Sequence, residues 1–423
     1  MMNLRGWFVC LLWFVGWAVC PVTSPLFAQA APTEKLEIDL PAQGEDPLYL
    51  EAELDLRLPM DGILSSTNMH SGHALASYGI ESWLYDENDP SPKTFGRRTA
   101  ELFLLENSML FFTALGHEGA HYRIAKVQDE KNVMIHLQPG LFYGIFPPLE
   151  GAYVSYENTP LDDTEGKNKG SAAGLAWNNQ SAGETITRNL GKKANLSESL
   201  WYFVSQGSYS LTMLREGGLL KSKALGVSLG RENVCWGGNR DIGHWTEQTA
   251  NYDCGIIAKI EKDVNAGNTW QALSLPLPLF SILSYWTANK GYSLPNYWAQ
   301  TQTELTDRGV LQNLDVWWKN SDGFTSKFRV GYGNNRFDAK NPLWQMEMET
   351  FNSPMTFGDT QLDVALGVVN TKKRNYRIGG TFNRQFDKLK ASLVANAYTG
   401  YHRLSPIAGG GWNEVKVKVG YTF

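Results

Sequence analysis

From Tyr297 to its last residue, the chain keeps a period of two. Segments of about eight to ten residues place apolar side chains at alternate positions, and turns rich in Asn, Asp, Gly and Lys separate them. Phe328, Val330 and Tyr332 make one such row, and Trp344, Met346 and Met348 another. Leu362, Val364, Leu366 and Val368 follow, then Tyr376, Ile378, Gly380 and Phe382, then Leu389, Ala391, Leu393, Ala395 and Ala397. The last row is Val415, Val417, Val419, Tyr421 and Phe423. The opposite face carries Arg329, Gln345, Glu347, Asp363, Arg377, Thr381, Lys390, Lys416 and Lys418. Successive side chains of a strand point to opposite faces, so these rows predict an antiparallel sheet with one apolar and one charged face. Leu48 to Leu58 shows the same pattern near the other end, with Glu51, Glu53, Asp55 and Arg57 between its leucines. A soluble sheet with its apolar face packed inward satisfies this pattern. So does a membrane barrel with its apolar face outward.

Further features bear on that choice. The start reads as a secretory signal: Arg5, an apolar run from Gly6 to Val19, and an Ala28-Gln29-Ala30 cleavage site, so the mature chain is expected to begin after Ala30. Aromatic residues reach 12 %, which suits a β-rich protein with aromatic girdles. The final row, ending on Val419, Tyr421 and Phe423, resembles the C-terminal signal of bacterial outer-membrane barrel proteins. That resemblance implies export to the bacterial outer membrane, recognition by the barrel insertion machinery, and outer-membrane lipid as a partner.

Chemistry is concentrated in Thr113 to Ala125, where His117, Glu118 and His121 spell H-E-x-x-H. On a helix, positions i and i+4 share a face, so two imidazoles at this spacing can hold one metal ion beside a carboxylate. No proline interrupts Arg97 to Ala125, and the segment is apolar nearly all round, which predicts a buried helix. With only 7 His in 423 residues, the pattern is expected by accident on the order of 0.01 times. The segment resembles the active-site helix of zincin metallopeptidases. The resemblance implies Zn²⁺ held by His117 and His121, with Glu118 as catalytic general base. Ile124 stands where metzincins have Gly, and no His follows until His136, so the likeness is to the gluzincin pattern, whose third metal ligand is a Glu on a later helix. Ser171 to Leu190 has helical spacing, and Glu184, among small neighbours, is the candidate there; its other reading is a solvated helix charge.

Other residues carry weaker signals. His70 and His73, three apart in a Ser/Gly-rich stretch, could share a helical face and bind a metal, but read first as polar loop residues. Cys235 and Cys254 bracket a polar, aromatic stretch; in an exported protein they read as one disulfide, or else as two separate thiols. Arg240, His244 and Tyr252 fall within it and are candidates to steady an oxyanion, although the stretch reads first as a loop. Pro276 and Pro278 argue against a membrane-spanning helix in Val264 to Asn289. The net charge is −5 and no basic block occurs, which excludes nucleic acid as an expected partner.

The expectation is therefore an α+β protein: an antiparallel outer-membrane β-barrel with a helical zincin-like region inserted in or preceding it. It divides into a signal peptide (1–30), a linker (31–47), a helical region with strands carrying the H-E-x-x-H site (48–295) and a β-barrel region (296–423). The expected function is zinc-dependent hydrolysis of peptide bonds at the outer membrane. The alternative is a non-catalytic outer-membrane barrel, for transport or structure, with a buried His/Glu helix.

Overall fold

The computed structural model describes residues 48–53, 65–84, 94–128, 130–137, 152–157, 164–194, 196–216, 241–250, 253–288, 292–371, 373–387, 389–400 and 412–421, all within one compact unit, Leu40–Phe423. The signal peptide, its cleavage site and the linker lie outside the described residues.

The predicted rows are strands of one large antiparallel sheet. It comprises β1 (Leu48–Glu53), β6 (Tyr297–Thr306), β7 (Gly309–Lys319), β8 (Thr325–Gly333), β9 (Leu343–Phe351), β11 (Thr360–Asn370), β12 (Arg374–Phe386), β13 (Leu389–Tyr398) and β14 (Trp412–Tyr421), with the short β10 (Thr356–Phe357) beside β11. The order is β1-β14-β13-β12-β11-β9-β8-β7-β6, so β1 joins the C-terminal strands through pairs such as Leu50 with Val419. The sheet is open: β1 and β6 are its edges, and no pairing joins them among the described residues. Two small sheets lie apart, β2 (Lys131–Leu137) with β3 (Ala152–Glu157) and β4 (Lys193–Ala194) with β5 (Tyr292–Ser293).

The faces of the large sheet are the reverse of those in a soluble sandwich. Phe328, Val330, Tyr332, Met346, Tyr376 and Ile378 are exposed, while Lys327, Arg329, Gln345, Glu347, Arg377 and Asn396 are buried. The buried charges neutralise one another, as groups taken out of water must. Arg329 grips Asp315 with two bonds, Nε to Oδ1 at 2.5 Å and Nη2 to Oδ2 at 2.6 Å. Lys327 lies 3.7 Å from Asp315 and 3.2 Å from Glu349. Glu349 also pairs with Arg377, which reaches Asn396, and Asn396 donates to Glu414 at 3.1 Å. The chain of contacts thus crosses the sheet from β7 to β14.

Seven helices accompany the sheet among the described residues: α1 (Ser66–Leu84), α2 (Phe95–Val127), α3 (Thr164–Asn189), α4 (Leu196–Glu216), α5 (Asp241–Thr249), α6 (Cys254–Ala272) and α7 (Pro276–Ala288). No helix among them is long and apolar enough to cross a membrane. The H-E-x-x-H segment lies within the 33-residue α2, which begins where the Thr94 hydroxyl accepts from Arg97 N–H at 3.3 Å. Its near-uniform apolarity fits its position, packed against α1, α3, α4, α7, β2 and β3. Asp253 caps α6 by accepting from the N–H groups of Gly255 and Ile256. The proline-bearing stretch after it is helical, with Pro276 as the first residue of α7, where its missing N–H costs nothing.

Helices also finish the β6 edge. Thr301 N–H donates to Ser274 Oγ and Thr303 N–H to Gln271 Oε1, both at 2.7 Å. Their carbonyls accept from Gln206 and Asn179. Side chains of α3, α4 and α6, and of the α6–α7 connection, therefore take the place of a neighbouring strand.

Candidate metal centre

His117 and His121 lie one turn apart on α2, as their spacing requires, with ring centroids 5.0 Å apart. Their Nε2 atoms converge on one carboxylate oxygen: Asp241 Oδ2 is 2.8 Å from His117 and 3.3 Å from His121. One ligand atom from each of the three residues lies within 4.8 Å of the others. The site is neither sealed nor open, with side-chain exposures of 18 % for His117, 12 % for His121 and 31 % for Asp241.

Asp241 is held by its own short helix. It is the first residue of α5, where a carboxylate is favoured by the helix dipole. Ile242 and Trp245 anchor that helix in a core with Ala172, Leu175, Ile257, Ile260, Leu305 and Val310. Trp245 Nε1 also donates to the Thr306 carbonyl at 3.0 Å, tying α5 to the point where β6 turns into β7.

Helix α3 supplies the other wall. The Gly170 carbonyl accepts from His121 Nδ1 at 2.8 Å, and Asn178 Nδ2 lies 3.1 Å from His117 Nδ1. Between them Gly174 leaves room for the His117 ring: a methyl group there would overlap its Nε2 edge. Further along, α3 leaves the site. Asn179 bonds Thr303, Thr187 bonds Trp317, and the Leu190 carbonyl receives Lys319. The site therefore sits at the β6–β7 rim of the sheet. Arg123 agrees with this placement, since it bonds Glu414, near the start of β14, at 3.1 Å.

The third place in the cluster belongs to Asp241 and not to Glu184. Glu184 Oε1 accepts from Gln180 at 3.0 Å and its other oxygen, buried, stands 4.0 Å from Arg188, so among the described residues its contacts are on its own helix, apart from the cluster, and it is not the solvated charge of its alternative reading. Its small neighbours serve packing: Ser181 accepts from Trp201 Nε1 at 2.7 Å, and Gly183 lies under Trp317. A signal for Asp241 was present in the sequence, as an acidic residue one place before Ile242, with Trp245 and Thr249 following at helical spacing.

Glu118 is next to the cluster and helps raise the proton affinity of His121. Burial opposes a charge on His121, but the Asp241 carboxylate and its hydrogen bond outweigh that and lift the imidazole to about 9. Burial likewise opposes the Asp241 charge, and the two histidines more than offset it, holding the carboxyl well below the usual range. Without a metal, the three groups form a compact His-Asp-His ion pair. With two imidazole nitrogens and one carboxylate oxygen, the same set could hold a divalent metal ion.

No family model, curated protein or solved structure matches this chain.

The remaining candidates are placed as follows. Cys254 opens α6, and Cys235 lies outside the described residues, so their pairing does too. Arg240 and Tyr252 also lie outside, and His244 is described only as part of α5. His70 and His73 are not loop residues. Both are on α1, buried, and stacked against Trp201 at 5.0 and 5.2 Å. His70 joins Glu198 at 2.8 Å and Arg188 at 2.6 Å, while His73 joins Ser197 at 2.8 Å and Ser108 at 3.2 Å. Burial, together with the adjacent His70, pushes the His73 imidazole down to about 3, so it stays neutral. Glu198 is lowered to about 2: burial opposes its charge, but His70, Arg188 and Asn189 outweigh that. This second cluster is a sealed polar core of the helical bundle.

Proposed function

We propose that the protein is a zinc-dependent hydrolase of peptide bonds, carried by a β-structure embedded in the bacterial outer membrane. The observation that carries the catalytic reading is the convergence of His117, His121 and Asp241 on one point beside Glu118. Zinc held by these three groups would keep one coordination position open and bring the pKa of a water toward about 7. Glu118 takes the proton of the attacking water and returns it to the leaving amine. Gly170 orients His121 through its Nδ1–H, and the two histidines keep Asp241 ionised. The rim position leaves the site partly open to solvent for an approaching chain.

The membrane reading is supported by the outward apolar face of the sheet, a surface too large to leave in water. We infer that this face meets lipid.

The His-Asp-His ion pair is satisfied without a metal, which favours a second reading, a structural membrane protein without catalysis. Metal analysis of the detergent-solubilised protein separates the two. About one zinc per chain, lost in both His117→Ala and Asp241→Ala, is expected of the hydrolase; a metal-free folded wild type would remove that reading. Glu118→Gln is expected to retain zinc and to lose at least a hundredfold in peptide cleavage, as for a missing general base.

A further inference from the structure

We propose that Asn178 is a positioning residue whose side-chain amide selects the tautomer of His117 that can hold a metal. The inference rests on reading His117, His121 and Asp241 as metal ligands, and it concerns how that site is made ready.

A neutral imidazole carries one ring proton, and its position is set by what each nitrogen faces. His121 has little choice. Its Nδ1 faces the Gly170 carbonyl, which can only accept, so Nδ1 keeps its proton whether or not Nε2 also carries one toward Asp241. His117 is different. Its Nδ1 faces Asn178 Nδ2 at 3.1 Å, and an NH₂ group can only donate. Nδ1 must then accept, the ring proton sits on Nε2, and Nε2–H donates to Asp241 at 2.8 Å. The proton therefore occupies the place that a metal would take.

Binding a metal through Nε2 requires that proton to move to Nδ1. An Nδ1–H facing an NH₂ group would set donor against donor. The same residue supplies the remedy. Asn178 is 2 % exposed, and its Oδ1 is buried with no hydrogen-bond partner among the described residues. A half-turn of the amide exchanges its two ends without changing its shape, and brings this unused acceptor to Nδ1–H. The two imidazoles are thus held differently, one by a fixed backbone carbonyl and one by a reversible amide. In that arrangement Oδ1 accepts from Nδ1–H, and Nδ2 takes the buried place that Oδ1 leaves.

The test uses full-length protein in detergent, labelled with ¹⁵N at histidine, with zinc as the only added ligand. In wild type, His117 Nδ1 is expected to change from an unprotonated to a protonated nitrogen as zinc is added. Asn178→Asp keeps the acceptor and removes the donor, so it is expected to bind zinc at least as tightly as wild type. Asn178→Leu removes both and is expected to bind ten- to a hundredfold more weakly. If His117 Nδ1 stays unprotonated with zinc bound, or Asn178→Leu matches wild-type affinity, the inference is wrong while the metal site stands. A wild type that binds no zinc overturns both.

Discussion

At the scale of single residues, the site depends on how little space surrounds His117. A methyl group on Gly174 would take the position of the imidazole edge. Alanine ordinarily stabilises a helix interior by about 0.5–1 kcal/mol over glycine. Gly174→Ala is therefore expected to leave α3 intact by circular dichroism while lowering zinc affinity at least tenfold, because the ring must move. The sealed cluster around Trp201 gives a separate prediction in pH. His73 is held neutral down to about 3, among His70, Glu198 and Arg188. Below the unfolded pKa of about 6.5, the unfolded chain takes up a proton there that the folded chain refuses, so stability falls as pH falls. Glu198 adds to the loss only below its own unfolded value, about 4.5. The stability advantage of wild type over His73→Gln is expected to shrink by about 1.6 kcal/mol between pH 6.5 and pH 5, the slope rising toward about 1.4 kcal/mol per pH unit as the unfolded imidazole fills. Denaturant titrations at the two pH values measure it, and an unchanged difference would contradict it. His117, Glu118 and His121 were legible in the sequence because their relation is local to one helix. Asp241 was legible only as a helix start; its place beside the histidines was not, because it depends on α5 being packed by Ile242 and Trp245 against a distant turn.

At the scale of elements, the strands were readable because alternation records two unlike surroundings directly, and β8 to β14 follow the predicted rows. Helix α1 was missed because its Ser, Gly and His content is a poor helix signal, and burial against Trp201 overrides it. The finishing of β6 was equally invisible. Asn179, Gln206, Gln271 and Ser274 look in the sequence like ordinary polar positions on helices or between them, yet each serves the open backbone of one strand. Gln271→Leu would leave the Thr303 N–H buried without its acceptor. The expected cost is about 1–3 kcal/mol. Faster amide exchange at Thr303, with the β7–β8 ladder unaffected, is the accompanying signature.

At the scale of the whole molecule, the site is at the β6–β7 rim, the rim that also carries the connections 334–342, 371–373 and 399–411. The opposite rim has 320–324, 352–359 and 387–388. Outer-membrane barrels put their longer connections outside the cell and their shorter turns in the periplasm. On the proposed outer-membrane placement, an epitope within 334–342 is expected to be reached by antibody on intact cells, and one within 320–324 only after permeabilisation. The reverse result would turn the site to the periplasm. That the sheet is open, with helices at one edge, could not be read from alternation, since a period of two says which way side chains point and nothing about which strand is last. The β6 edge also sets an order in time. Hairpins such as β7–β8 and β12–β13 join near neighbours and can close early, whereas β1 with β14, and β6 with α3 and α4, join segments far apart in the chain and bear the greatest loop-closure cost. The strand ladder cannot finish its own seam. Until these helices settle, the backbone of β6 at Thr301 and Thr303 lacks its partners and offers a raw edge to any other strand.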